Sequence, residues 1–164
     1  MNKSNKLLSD IVSFRTYAKY LPNLGRRESL EESINRCMTM HLDRFPKLSR
    51  DIIKAFQQVH DFKIMPSMRS LQFAGEAILK NNVRQYNCSG INIDSPRKFS
   101  ETLFLLLSGV GVGFSVQSHH VNQLPSVGRP REEGIFTIHD SIIGWAQALD
   151  MLMSAYFYSS VKPV

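Results

Sequence analysis

Three short segments with strand-like patterning, residues 62–65, 85–93 and 112–116, are separated by stretches whose apolar residues recur at helical spacing. Strands interleaved with helices point to an α/β arrangement, yet three strands are too few to close a sheet. A sheet that small leaves its edges unpaired. Either further strands hide in weakly patterned stretches, or the sheet is completed by another chain. The 164 residues are enough for one domain with a core, and 43% hydrophobic with 21% charged residues exclude a disordered or fibrous chain. No apolar run reaches the length of a membrane span; the longest, Leu103–Leu107, is far too short. Met1-Asn2-Lys3-Ser4 lacks a secretory signal, and two cysteines make no disulfide framework, so a reducing cytoplasm is expected.

Residues 1–60 read as helical. After a turn at Leu21–Gly25, Ser29 and Glu32 form a capping box for a helix whose apolar face is Leu30, Ile34, Cys37, Met38, His41 and Phe45, ended by Pro46. A second helix starts at Ser49, with Ile52, Ile53, Phe56 and Val59 on one side. The texture changes after Asp61, and residues 61–164 are expected to form a second region. Pro66–Ser70 reads as an ordered loop. Ser95 as cap and Pro96 at the first position predict a helix that buries Phe99, Leu103, Leu106 and Leu107 and stops at Ser108-Gly109. Gln117–Gly134 reads as loop. Asp140 or Ser141 caps a last helix with Ile142, Ala146, Leu149, Leu152, Met153 and Tyr156 inward.

Several residue groups carry potential chemistry. Cys88, between Asn87 and Ser89 in a strand, shares its face with Tyr86 and Gly90. Spacing alone leaves it as core filler or reactive thiol, whereas Cys37 on an apolar helix face reads as packing. The glycines of Ser108–Gly113 allow close backbone approach to a ligand. Their order, helix then glycines then strand, is the reverse of a dinucleotide or phosphate-loop fingerprint. His119-His120 lacks a second cluster at zinc spacing, so no metal site is expected. Arg69, between Ser67 and Ser70, suits a phosphate or a plain surface position. The net charge of +6 and pI near 9.5 point to an anionic partner. Basic residues scattered without a cluster weaken a nucleic-acid reading.

Taken together, four segments in this order resemble one family: Met65-Pro-Ser-Met-Arg-Ser-Leu-Gln-Phe-Ala-Gly75, Tyr86-Asn-Cys-Ser89, Asp94-Ser-Pro-Arg97 and Gly109-Val-Gly-Val-Gly-Phe-Ser115. They look like the start of the catalytic barrel of adenosylcobalamin-dependent (class II) ribonucleotide reductases, especially the monomeric triphosphate branch. Thr16–Pro22 with Arg26-Arg27-Glu28, Val121–Pro125 and Asp140–Ala146 extend the resemblance over roughly residues 14–164.

The resemblance implies an α/β fold in which a helical amino-terminal region leads into the first strands and helices of a ten-stranded barrel. It implies reduction of a ribonucleotide at its 2′ carbon: a thiyl radical on a finger-loop cysteine removes the 3′ hydrogen, and two further cysteines supply protons and electrons and become a disulfide. Cys88 matches the first of that reducing pair. Asn87, Gly111, Ser67, Arg69 and Ser70 match the surroundings of the substrate; Asp94, Ser115 and Gln117 fall where a deoxynucleotide effector binds. The radical cysteine, the second reducing cysteine and most of the adenosylcobalamin site have no counterpart here. The expected partners are therefore a complementary carboxy-terminal reductase chain and a thioredoxin-like reductant. The interruption is expected to be a natural split, an intervening element in the gene or an excised piece. The competing reading is a basic α/β module binding nucleic acid or protein; a third is a reductase whose radical comes from a metal-cofactor partner.

Overall fold

The computed structural model describes residues 3–130, 132–158 and 161–163. They fall into two compact units, Met1–Gln85 and Tyr86–Val164. The change of texture after Asp61 is not where these units part, because Leu71, Ala74 and Ile78 share a core with the helices before residue 61.

The first unit opens with α1 (Lys3–Thr16) and a small antiparallel hairpin, β1 (Tyr20–Leu21) and β2 (Arg26–Arg27), with Tyr20 opposite Arg27. Gly25 takes φ 62° in the hairpin turn, a left-handed conformation that favours glycine. Next comes α2 (Leu30–Arg44), whose capping box is formed as expected: Ser29 Oγ accepts from the Glu32 N–H at 3.1 Å, and Glu32 accepts from the Ser29 N–H at 2.7 Å. A turn of 3₁₀ helix at Pro46–Leu48 leads into α3 (Ser49–His60). Ile34, Cys37 and Met40 of α2 pack on Phe56 and Val59 of α3. Phe45, expected on the apolar face, lies past the end of α2 and is 49% exposed.

The strand expected at 62–65 is absent. Phe62 has φ 56°, incompatible with a strand, and the Phe62 and Lys63 N–H groups return to Val59 and Gln58 oxygens to close α3. The loop expected at Pro66–Ser70 gives way at Met68 to α4 (Met68–Phe73), followed by α5 (Glu76–Lys80). Proline cannot continue a helix from behind but readily precedes one, so Pro66 marks an entrance here.

In the second unit, β3 (Cys88–Asn92) pairs in parallel with β4 (Gly111–Ser115), joined through α6 (Arg97–Leu107). Parallel neighbours require such a crossover. The helix begins one residue later than the sequence predicts. Pro96 occupies the cap position with helical dihedrals, and no side-chain bond caps the end. Gly109, at φ 88°, turns the chain into β4. Leu106 and Leu107 of α6, expected to be inward, are exposed.

The stretch expected to be loop from Gln117 to Gly134 contains α7 (Ser118–Val121) and ends in β5 (Glu132–Gly134). After α8 (Ile142–Tyr158), β6 (Val161–Pro163) pairs in parallel with β5. Ser141 caps α8: its Oγ accepts from the Gly144 N–H at 3.0 Å. Along α6 and α8, the Phe99 and Phe157 rings stack at 6.3 Å and Ser100 donates to Asp150 at 2.9 Å. Among the described residues the strands form three separate pairs, an α/β arrangement without a closed barrel.

Candidate functional site

Parallel pairing in register places Cys88 opposite Gly111, Gly90 opposite Gly113 and Asn92 opposite Ser115. Side chains alternate along a strand, so these six positions share one face. On that face Cys88, Gly90, Asn92, Gly111 and Gly113 are all exposed, while Ser89, Ile91 and Val112 of the opposite face are half-buried. The glycines leave the backbone bare beside the thiol. A Cβ built on Gly111 would lie 3.6 Å from the Asn87 carbonyl oxygen and 4.0 Å from Cys88 Sγ. The Gly111 N–H donates to that same Asn87 oxygen at 2.9 Å, which fixes the start of β4 against the residue preceding the thiol. The result is a flat, glycine-lined strip with one free thiol at its amino end.

The other cysteine has a different environment. Cys37 is fully buried in the α2–α3 core, and burial pushes its thiol up to about 11 against a smaller downward pull from Arg36. It is a packing residue with no route to a reactant.

Asp94, Ser115 and Gln117 gather at the carboxyl ends of β3 and β4. Here the Ile93 N–H donates to the Ser115 carbonyl at 3.0 Å, and Gln117 stands exposed just before α7. Cys88 and Gly111 begin the same strands. Four residue steps at about 3.3 Å put roughly 13 Å between the two ends.

Ser67, Arg69 and Ser70 belong to the first unit, where α4 orders them. Ser67 occupies the cap position, its carbonyl accepting from the Leu71 N–H at 3.1 Å, and the Arg69 guanidinium lies over the Phe73 ring at 5.6 Å. The C-terminal end of α4 is held by residues that the sequence reading did not single out. Arg36 donates to the Leu71 and Ala74 carbonyls at 2.9 Å each, to Tyr17 O at 3.3 Å, and to both oxygens of Glu28 at 2.8 and 2.9 Å. Lys19 Nζ adds a 2.7 Å bond to Ala74 O, and burial is the main cause that lowers its pKa, followed by repulsion from Arg36. The only sequence signal for this clamp was a carboxylate, a serine and an arginine at positions 28, 33 and 36. The carbonyls it grips are far off in the chain.

No protein-family model matches the chain. Curated relatives include adenosylcobalamin-dependent ribonucleoside-triphosphate reductases of Lactobacillus helveticus (26% identical) and Lactobacillus acidophilus (29% identical), each match covering 69% of this chain and 20% of the relative. A crystal structure of a B12-dependent (class II) ribonucleotide reductase superposes with a TM-score of 0.81 at 18% identity, over 94% of this chain and 32% of that one. The chain is similar to class II ribonucleotide reductases in sequence and in fold. It spans about a fifth of the length of the curated relatives it matches.

Proposed function

We propose that this chain is the amino-terminal part of a ribonucleotide reductase, acting only when a complementary carboxy-terminal chain supplies the rest of the barrel. The observation that carries the reading is the register of Cys88 with Gly111 on an exposed glycine strip. A sugar can lie close against bare backbone there, with a thiol beside its 2′ carbon. In the proposed step the 2′ hydroxyl leaves as water. Cys88 and a second thiol from the complementary chain give up two hydrogens in all and become a disulfide, so substrate plus dithiol balances product, disulfide and water. A thioredoxin-like reductant then restores the dithiol.

Asn87 and Gly111 flank the sugar, while Ser67, Arg69 and Ser70 contribute to holding the substrate, a ribonucleoside triphosphate by analogy with the names of the relatives. Asp94, Ser115 and Gln117, at the other end of the strand pair, contribute to the effector site. That end suits a ligand, since α/β sheets bind ligands beyond the carboxyl ends of their strands. The relatives are named for adenosylcobalamin, and we take it as the cofactor of the assembled enzyme. Its site is assigned to the complementary chain. No described helix is long and apolar enough to cross a membrane.

The test is complementation. This chain alone, given adenosylcobalamin, a dithiol and a ribonucleoside triphosphate, should make no deoxynucleotide; adding a chain that carries the finger-loop cysteine should restore turnover. In that assembly Cys88→Ser should abolish multiple turnover while substrate binding stays within about threefold, because serine fills the same space but cannot close a disulfide. Normal turnover by Cys88→Ser, or a Cys88 still free after one turnover without external reductant, would sink the assignment.

A further inference from the structure

A helix as short as α4 cannot hold itself in place, yet it orders all three first-unit residues assigned to the substrate, Ser67, Arg69 and Ser70. Its apolar side is anchored by Leu71 and Ala74, both buried in the core with α2. Its last carbonyls, which a helix end leaves without backbone partners, are met in an unusual way. In a helix that ran on, the Gly75 N–H would close on Leu71 O. Here that N–H donates to Met40 Sδ at 3.2 Å, and φ 91° at Gly75 turns the chain away. Leu71 O and Ala74 O accept from Arg36 instead, each at 2.9 Å, and Ala74 O also accepts from Lys19 Nζ at 2.7 Å. Side-chain cations stand where backbone donors are missing. The guanidinium is itself fixed by both oxygens of Glu28, so it cannot follow α4 if the helix shifts.

We infer that Arg36 and Lys19 are positioning residues, which set the orientation of α4 and through it the placement of Ser67, Arg69 and Ser70 toward the substrate. The inference rests on the role proposed above for those three residues. The gripped carbonyls lie at the C-terminal end of α4 and Ser67 at the other, about 9 Å away along the axis, so a small tilt at the clamp is carried to the substrate end. Both cations act through α4 and not on the substrate itself. An α4 that samples other orientations binds with an affinity reduced by the fraction in the competent one, while substrate once bound finds the same groups. The loss therefore falls on KM and not on kcat.

The test uses the assembly of this chain with its complement, alongside the chain alone. Arg36→Lys keeps a cation beside Glu28, so stability should change little, but one ammonium cannot serve the carboxylate and two carbonyls as the fork does. Lys19→Met removes one bond and leaves Ala74 O to Arg36. Each variant should raise KM for a ribonucleoside triphosphate about five- to tenfold with kcat within about twofold. In the chain alone, the amides of residues 68–75 should exchange faster in both. Ile34→Val loosens the same core without removing a donor; it should lower the urea midpoint and leave KM where it was. A KM that rises equally in Ile34→Val overturns the inference, as does unchanged amide exchange at residues 68–75. A parent assembly without turnover overturns the functional reading and this inference with it. Turnover with a KM indifferent to both clamp variants overturns the inference alone.

Discussion

Replacing Arg36 by methionine keeps most of the length of the side chain and removes every donor that Arg36 brings to the clamp, leaving the Lys19 bond to Ala74. Glu28, only 6% exposed, would then keep the Lys19 N–H and the Ser33 hydroxyl but lose its cation. Breaking a buried ion pair from one side costs about 3–5 kcal/mol, since a charge stays buried without its partner. At about 1.5 kcal/mol per molar urea, the unfolding midpoint of the first unit should fall by roughly 2–3 M. The pH dependence should also change sign. In the intact protein burial pushes the Glu28 carboxyl upward, but hydrogen bonds from Arg36, Lys19 and Ser33 and the Arg36 charge outweigh it and hold it below its ordinary value. Its contribution to stability is therefore complete above the unfolded-chain value of about 4.3 and is lost as pH falls through the lower folded value. Without Arg36, burial dominates and the folded value rises above the unfolded one. The penalty is then relieved as pH falls, and the variant gains stability where the parent loses it. Urea unfolding followed by circular dichroism across the acid range measures both effects. A loss below about 1 kcal/mol, or parallel pH slopes for parent and variant, would refute this account of the clamp.

Gly144→Ala should destabilise the second unit by about 1–3 kcal/mol in thermal melts, because the new methyl would overlap the His139 carbonyl, with its carbon only 2.9 Å away. Ser141→Ala should cost about 1 kcal/mol through loss of the α8 cap; an unchanged melt would remove that hydrogen bond from the account. Alkylation of the native chain should add one group, at Cys88, and a second at Cys37 only after denaturation, since Cys37 is buried with its thiol pushed up to about 11; mass spectrometry of the peptides decides it. Glu32, drawn down to about 2 by the Arg26 fork and then by the Ser29 N–H, should keep the start of α2 intact above the unfolded-chain value. Fraying should begin as pH falls below about 4.3 and be complete only near the folded value, followed by amide exchange at Glu32 and Ser33.

The elements legible in the sequence were those encoded locally. The capping box of α2, the periodicity of α3, the β3–α6–β4 unit and the start of α8 all rest on patterns within a dozen residues. What escaped depends on distant partners or on backbone conformation. Phe62 to Met65 have strand-forming composition, yet the left-handed φ of Phe62 ends α3 instead. β5 and β6 have no pattern of their own, one being Glu-Glu-Gly and the other ending in proline; each exists because it pairs with the other. In the candidate site, Cys88 is exposed, a property that its spacing did not encode. The Arg36 clamp could not be foreseen, because an arginine in a helix reads as solvated until its carbonyl partners are known.

The match between Cys88 and Gly111 depends on a connection whose length is counted in single residues. Between the end of α6 and the start of β4 stand only Ser108, Gly109 and Val110, and Ser108 and Val110 are both buried. One residue inserted there, if taken up by sliding β4, would turn its entire set of side chains over. A bulky neighbour would then roof the thiol that bare backbone now leaves open. Most inter-element turns drift freely in length between relatives. This one should tolerate neither insertions nor deletions, so that a gap in it would mark a chain that has kept the fold and given up the chemistry.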